Sequence, residues 1–339
     1  MKKRQSNFEL LRIICMFLIV AGHVTWQTKF SYDELNLVHR VSIQSLWMGG
    51  ELGVWGFTLI SAYFLSGSHF KIKSLKKIWG ITLFYSISIY LLLVIFHVIP
   101  INPKDALKSF LPVLTGNYWY VSAYIGMYIL VPYMNIVIEH LDKKEYQKLL
   151  LLLFIMFSLL PYLKNITVVT NNNSVINLVY IYFVGGYLRK YSSDFTKGNQ
   201  KYYILIFLGS LILMVSSIVV LDLIRPKSWF AFLTTSSPLE AIAGVSLFLI
   251  AKNTSISYNE IINKIAASTF AVYLIHCQAI FLPILWDKIV HAQQWQTIPY
   301  TVGYELLVAC VIYCSATLID FIRIYILKTY LKFKVRFVG

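Results

Sequence analysis

The run NFELLRIICMFLIVAGHV, residues 7–24, is apolar enough to anchor a chain in a membrane, yet it carries Glu9, Arg12 and His23. A helix turns about 100° and rises about 1.5 Å per residue, so Arg12 and His23 fall at nearly the same azimuth, about 16 Å apart, on a stripe through Met16 and Ile19. Glu9 and Arg12 stand at i and i+3, within ion-pair reach. An ionisable side chain turned toward acyl chains at that depth costs several kcal/mol, so the stripe is expected to face a bundle interior. Two readings are open. In one, Arg12 snorkels to the headgroups and His23 is a polar residue at the opposite interface. In the other, a guanidinium guards one mouth of an internal path and an imidazole that can accept a proton stands at the far mouth.

Composition says what must position that stripe. With 58% hydrophobic and 13% charged residues and a mean hydropathy of +0.66, the chain does not read as a water-soluble fold. Runs of the roughly 20 apolar residues that cross a bilayer recur about ten times, centred near residues 17, 56, 87, 128, 155, 182, 212, 244, 276 and 312. The expected fold is all-α: a polytopic membrane bundle of about ten helices, because lipid tolerates no unpaired backbone. No linker, repeat or appended soluble region interrupts residues 1–339, which read as a single integral-membrane domain. The net charge of +15 is topological: most of the 30 Lys and Arg fall in segments that lie inside if Met1 is cytoplasmic. Both termini are thus expected in the cytoplasm, with anionic membrane lipid rather than nucleic acid as the partner of the basic excess. The first helix is expected to stay attached, since Glu9, Arg12 and His23 spoil a signal-peptide core.

Cys15, Cys277, Cys310 and Cys314 all lie in expected spans and read as packing residues. The histidines are scattered without metal-ligand spacing, so no metal is expected. The stretch NITVVTNNNS, 165–174, reads as a polar turn whose Asn165-Ile166-Thr167 sequon carries no expected sugar. The segments around 26–45 and 99–117 are expected to form short helices or lids on the outer face.

Arg12, ten residues and His23 resemble the R-x10-H signature of the acyltransferase 3 family, bacterial multi-span enzymes that O-acylate surface sugars. The resemblance runs along most of the chain: GVWGFTLISAYF (53–64), the basic FKIKSLKKIW (70–79), NYWYVSAYIGMYILVPYMN (117–135) and STFAVYLIH (268–276) match family stretches in order. Trp55 stands where the pattern has Asp or Asn, and Ala62 where it has Gly. The family's R-x-x-R pair is represented by lysines, with Lys73 and Lys76, or Lys77, as the alternatives. Lysine binds phosphate as a point charge and without arginine's fork.

The resemblance implies transfer of an acyl group, most often acetyl, from cytoplasmic acetyl-CoA to a hydroxyl of a cell-surface or lipid-linked carbohydrate, at a bacterial plasma membrane. Arg12, Lys73, Lys76 and Lys77 would hold the coenzyme A phosphates, and His23 would take the acceptor's proton. Trp119 and Tyr120, read either as interfacial aromatics or as a platform, stand level with His23. Glu51 or Glu240, near the outer helix ends, is expected to accept the second imidazole N–H. His276 falls inside the ninth run and reads as an interhelical hydrogen-bonding group or part of the substrate site. Asp320 and Arg323 are expected to neutralise each other. Some relatives carry a further extracytoplasmic domain after the last helix, so the resemblance leaves two expectations open: a separate extracytoplasmic acyl-transfer partner, or a membrane domain that suffices alone. The competing class is a transporter, flippase or polymerase of lipid-linked sugars, which also places ionisable groups inside a bundle.

Overall fold

A computed structural model describes residues 4–162, 174–224 and 232–338, with side chains through 329. Among them every regular element is helical: α1 (Ser6–Gln27), α2 (Leu37–Leu65), α3 (Ile72–Ile95), α4 (Pro103–Phe110), α5 (Trp119–His140), α6 (Lys143–Phe154), α7 (Val175–Lys190), α8 (Gln200–Ile224), α9 (Pro238–Asn253), α10 (Glu260–Ala267), α11 (Thr269–His276), α12 (Phe281–Pro283) and α13 (Thr301–Val338). The sequon at Asn165 lies outside the described residues.

Of the ten expected spans, five or six stand out by length and apolarity among the described residues. Among the described residues five helices are long and apolar enough to cross a membrane: those over Ser6–Gln27, Ile72–Ile95, Trp119–His140, Lys197–Ile224 and Thr301–Thr329. A sixth is added if Glu260–His276 and Phe281–Trp295, bent by 88°, form one broken span. The runs near 182 and 244 form helices of only 16 residues. Around residue 155, α6 gives way to a π-helical turn over Ile155–Leu159. α2 has the length, 29 residues, but it buries Gln44, Glu51 and Thr58 and four glycines. Those buried polar groups and glycines are what a helix in a protein interior uses for close contacts.

α1 and α2 form the heart of the bundle. Glycines on α2 let the two backbones meet: a Cβ on Gly53 would lie 2.4 Å from the Cys15 carbonyl oxygen, and one on Gly56 would lie 2.4 Å from Cys15 Sγ. A Cβ on Gly22 would come within 2.7 Å of Gly50 Cα. Cys15 is thus a packing residue, as expected, whereas Cys310 and Cys314 lie exposed on α13. α1 is 61% enclosed over its most apolar window and α8 only 17%, which makes α1 interior and α8 peripheral.

Two departures from the family pattern have packing partners. Ala62 faces Gly185 of α7, where an added Cβ would lie 2.5 Å from the alanine methyl. Trp55 is fully buried against Gly244 of α9 and donates its indole N–H to the Thr235 carbonyl at 2.8 Å. On the expected outer side, Arg40 holds the buried Asp222 of α8 through Nε and Nη2 at 2.8–3.0 Å. The expected short elements are present as a 3-10 turn at Tyr32–Glu34 and as α4, capped by Asn102. Asp320 and Arg323 pair at 2.6 Å, and the Tyr85 hydroxyl donates to the same carboxylate.

Candidate active site

His23 is one turn from the end of α1, half-buried, at the wall of a cavity of about 480 Å3. Opposite it, α11 stops at His276 because the chain turns there: Cys277 closes the helix on Tyr273, and Gln278 Oε1 accepts the N–H groups of Ile280 and Phe281 to start the next arm. His276 therefore sits at the break of the bent pair rather than inside a continuous ninth span. α11 is held at this height by the Tyr118 hydroxyl, which donates to the Leu274 carbonyl at 3.0 Å, and by Tyr273, whose hydroxyl accepts the Tyr120 N–H at 3.4 Å.

The break brings two imidazoles together. His276 Nδ1 lies 2.6 Å from the Val272 carbonyl oxygen, and His276 Nε2 lies 2.9 Å from His23 Nδ1. A carbonyl only accepts, so His276 Nδ1 carries the proton. Among the described residues no carboxylate pairs with either ring, and an unpaired buried charge is strongly disfavoured, so both rings are neutral. His276 Nε2 then presents a lone pair, His23 Nδ1 donates to it, and the proton-free nitrogen of His23 is Nε2. Neither Glu51 nor Glu240, the expected partners, makes this bond. The Glu51 carboxylate accepts from the Thr235 hydroxyl, and Glu240 is wholly buried within electrostatic reach of Glu51 and does not line the cavity.

The rest of the His23 cavity is aromatic and polar. Trp119, Tyr120 and Glu51 line it, and so do Trp26, Trp47 and Cys277, which no motif in the sequence singles out for the site. Trp26 and Trp47 stack with ring centroids 4.5 Å apart, and Trp26 is largely exposed at the mouth. His276, fully buried, does not line the cavity but touches His23, which does.

A second cavity, of about 320 Å3, contains Arg12, with Arg4, Ser61, Ser74, Lys77 and Tyr124 among its walls. Glu9 lies between the two arginines, 3.6 Å from Arg4 Nη1 and 3.8 Å from Arg12 Nη1. These distances are long enough to leave most guanidinium donors for another anion. Of the lysine alternatives, Lys77 lines this cavity; Lys73 and Lys76 lie exposed and do not. Arg4 was not anticipated, being hidden in a basic amino-terminal run that topology alone explains.

Phe57, Tyr120 and Phe270 belong to the walls of both cavities. The Arg12 chamber and the His23 chamber therefore adjoin at an aromatic partition. The stripe through α1 borders both, since Met16 and Ile19 line the His23 side. Two chambers so placed can hold a long anionic molecule by its charged end in one and expose its other end to a base in the other.

A family model described as an acyltransferase domain matches residues 5–319, nearly the whole chain. No curated protein and no solved structure matches it.

Proposed function

Since the chain belongs to the acyltransferase 3 family, and is in general terms a membrane acyltransferase, we propose that it moves an acetyl group from cytoplasmic acetyl-CoA to a hydroxyl of a cell-surface or lipid-linked carbohydrate. The observation that carries this reading is the adjoining pair of chambers, with arginines and a lysine in one and an imidazole lone pair in the other. In this reading both termini face the cytoplasm and the Arg12 chamber opens there. Arg4, Arg12 and Lys77 neutralise the coenzyme A phosphates, arginine by its fork and lysine as a point charge. The pantetheine arm passes the partition of Phe57, Tyr120 and Phe270, and the thioester enters the His23 chamber. The acceptor sugar enters from the opposite face across Trp26, Trp47 and Trp119, whose rings offer flat apolar faces to a pyranose.

His23 Nε2 takes the proton of the acceptor hydroxyl as its oxygen attacks the thioester carbonyl. Collapse of the tetrahedral adduct breaks the C–S bond and releases coenzyme A thiolate, which recovers the proton from His23. His276 acts as a positioning residue, since its lone pair keeps the His23 proton on Nδ1 and leaves Nε2 free. No metal takes part in these steps.

The test uses purified protein in proteoliposomes, radiolabelled acetyl-CoA and polysaccharides of defined structure. Label is expected on the glycan as an ester released by mild base. A flippase or other carrier would instead relocate a lipid-linked sugar without labelling it, and that outcome overturns the proposal. A folded, inserted His23→Ala variant that kept full transfer would remove the base assignment.

A further inference from the structure

The turn that ends α11 places a third ligand-type atom beside the two imidazoles. Cys277 Sγ lies 3.5 Å from His23 Nδ1, and the donor atoms of His23, His276 and Cys277 all lie within 4.8 Å of one another. Both His23 and Cys277 line the larger cavity, so the cluster is open to it on one side. We infer that this cluster is an inhibitory site for a thiophilic divalent cation such as Zn2+, which closes the active site by capturing the catalytic imidazole.

Geometry favours such an ion. With Zn–N of about 2.0–2.1 Å and Zn–S of about 2.3 Å, tetrahedral coordination sets N···N near 3.3 Å and N···S near 3.6 Å. The His23–Cys277 separation of 3.5 Å already fits, and the two imidazole nitrogens, now at 2.9 Å, need to part by only a few tenths of an ångström. Two imidazoles and a thiolate are a donor set that suits zinc, and the cavity leaves the fourth position to water. The Val272 carbonyl bond to His276 Nδ1 orients one ring for coordination through Nε2, as second partners of metal-bound histidines do.

Protons account for the inhibition. Cys277 loses its thiol proton to solvent. His23 Nδ1, which holds a proton toward His276 in the metal-free site, must present a lone pair, so that proton moves by way of solvent to Nε2. The ion thus places a proton on the nitrogen proposed to act as base and removes its partner at the same time. This consequence rests on the proposed role of His23; the binding site does not.

The experiment separates the two. Cys310 and Cys314, exposed and four residues apart on α13, are first replaced by serine to remove their thiols. Co2+ is then titrated into the detergent-purified protein while the near-ultraviolet thiolate-to-cobalt charge-transfer band and the visible tetrahedral bands are recorded. One Co2+ per chain is expected, with a thiolate band that one equivalent of Zn2+ erases. The thiolate band should vanish in Cys277→Ser, and His276→Gln should weaken Co2+ affinity at least tenfold while the protein stays folded by thermal scan. No thiolate band at saturation, or an unchanged band in Cys277→Ser, overturns the site. Should Cys277→Ser fail to fold, unchanged Co2+ affinity in His276→Gln overturns it equally. In the transfer assay Zn2+ should inhibit at the concentration at which it displaces Co2+, with activity restored by a chelator. Stoichiometric binding with undiminished transfer would overturn the inhibitory role and the base assignment of His23 together, leaving the site itself standing.

Discussion

Replacing His276 tests whether the acid–base step depends on a tautomer. In His276→Leu the Nδ1–H of His23 loses the acceptor that stands 2.9 Å away. Cys277 Sγ, 3.5 Å away, remains only as a weak acceptor, and a buried donor that loses its good partner costs about 1–3 kcal/mol. The ring escapes that cost by moving its proton to Nε2, where the cavity can receive it, and this is the wrong nitrogen for catalysis. Holding the productive tautomer in the variant therefore demands about the same 1–3 kcal/mol, which at about 1.36 kcal/mol per decade lowers kcat roughly 5- to 150-fold. Coenzyme A binding should not change, because His276 lines neither cavity. His276→Gln carries an amide oxygen near the position of Nε2 and should recover most of the loss. The assay is initial-rate transfer of labelled acetyl at saturating acceptor, beside calorimetric binding of coenzyme A and a thermal scan. Full kcat in a folded His276→Leu protein would refute the tautomer argument, as would a glutamine variant no better than leucine.

Arg12→Ala should weaken coenzyme A binding about 10- to 100-fold, the loss of one charge-assisted contact set of about 1.5–3 kcal/mol, whereas Lys73→Ala and Lys76→Ala, outside the chamber, should move it less than about twofold; calorimetry on folded variants decides. Phe57→Trp adds volume to the partition between the chambers and should lower kcat with coenzyme A affinity retained, a split that fails if acyl transfer proceeds without passing this point. Gly53→Ala sets a methyl against the Cys15 carbonyl and should destabilise the bundle by about 1–3 kcal/mol, read as a lower unfolding temperature in detergent; an unshifted temperature would mean that α1 and α2 separate freely.

The all-helical nature of the chain was legible from composition, and α1 with its stripe was legible from spacing alone, because helical periodicity links residues 11 positions apart without any tertiary knowledge. Of the ten spans that composition suggests, the described helices bear out five or six by length and apolarity. α2 packs closely on α1 and buries Gln44, Glu51, Thr58 and the glycines that let the two helices touch. α7 and α9, 16 residues each, meet α2 closely through Gly185 and Gly244. Hydropathy measures suitability for lipid, and helices that meet protein on most sides lie beyond what it can count. Trp55 shows the same limit from the other direction: read as a departure at a polar position, it fills the contact with Gly244 and fixes the backbone of Thr235, whose hydroxyl serves Glu51.

The candidate site divides along a similar line. Arg12, His23, Trp119 and Tyr120 could be placed because each lies at a helix depth fixed by its own span. The pairing of His23 with His276 joins positions 253 apart, and no local pattern reports such a contact. Glu51 and Glu240 are the partners that depth alone suggests for the imidazole, either carboxylate being able to accept its second N–H. A carboxylate there would have drawn a proton toward the imidazole and favoured imidazolium, which cannot accept the acceptor's proton until it gives one up. A neutral imidazole in the same place fixes the tautomer without adding charge to a space enclosed by aromatic rings. In the proposed reaction the neutral partner is thus the better fit to an imidazole that would act as base beside a thioester, and the same two nitrogens, with Cys277 beside them, would match a metal ion.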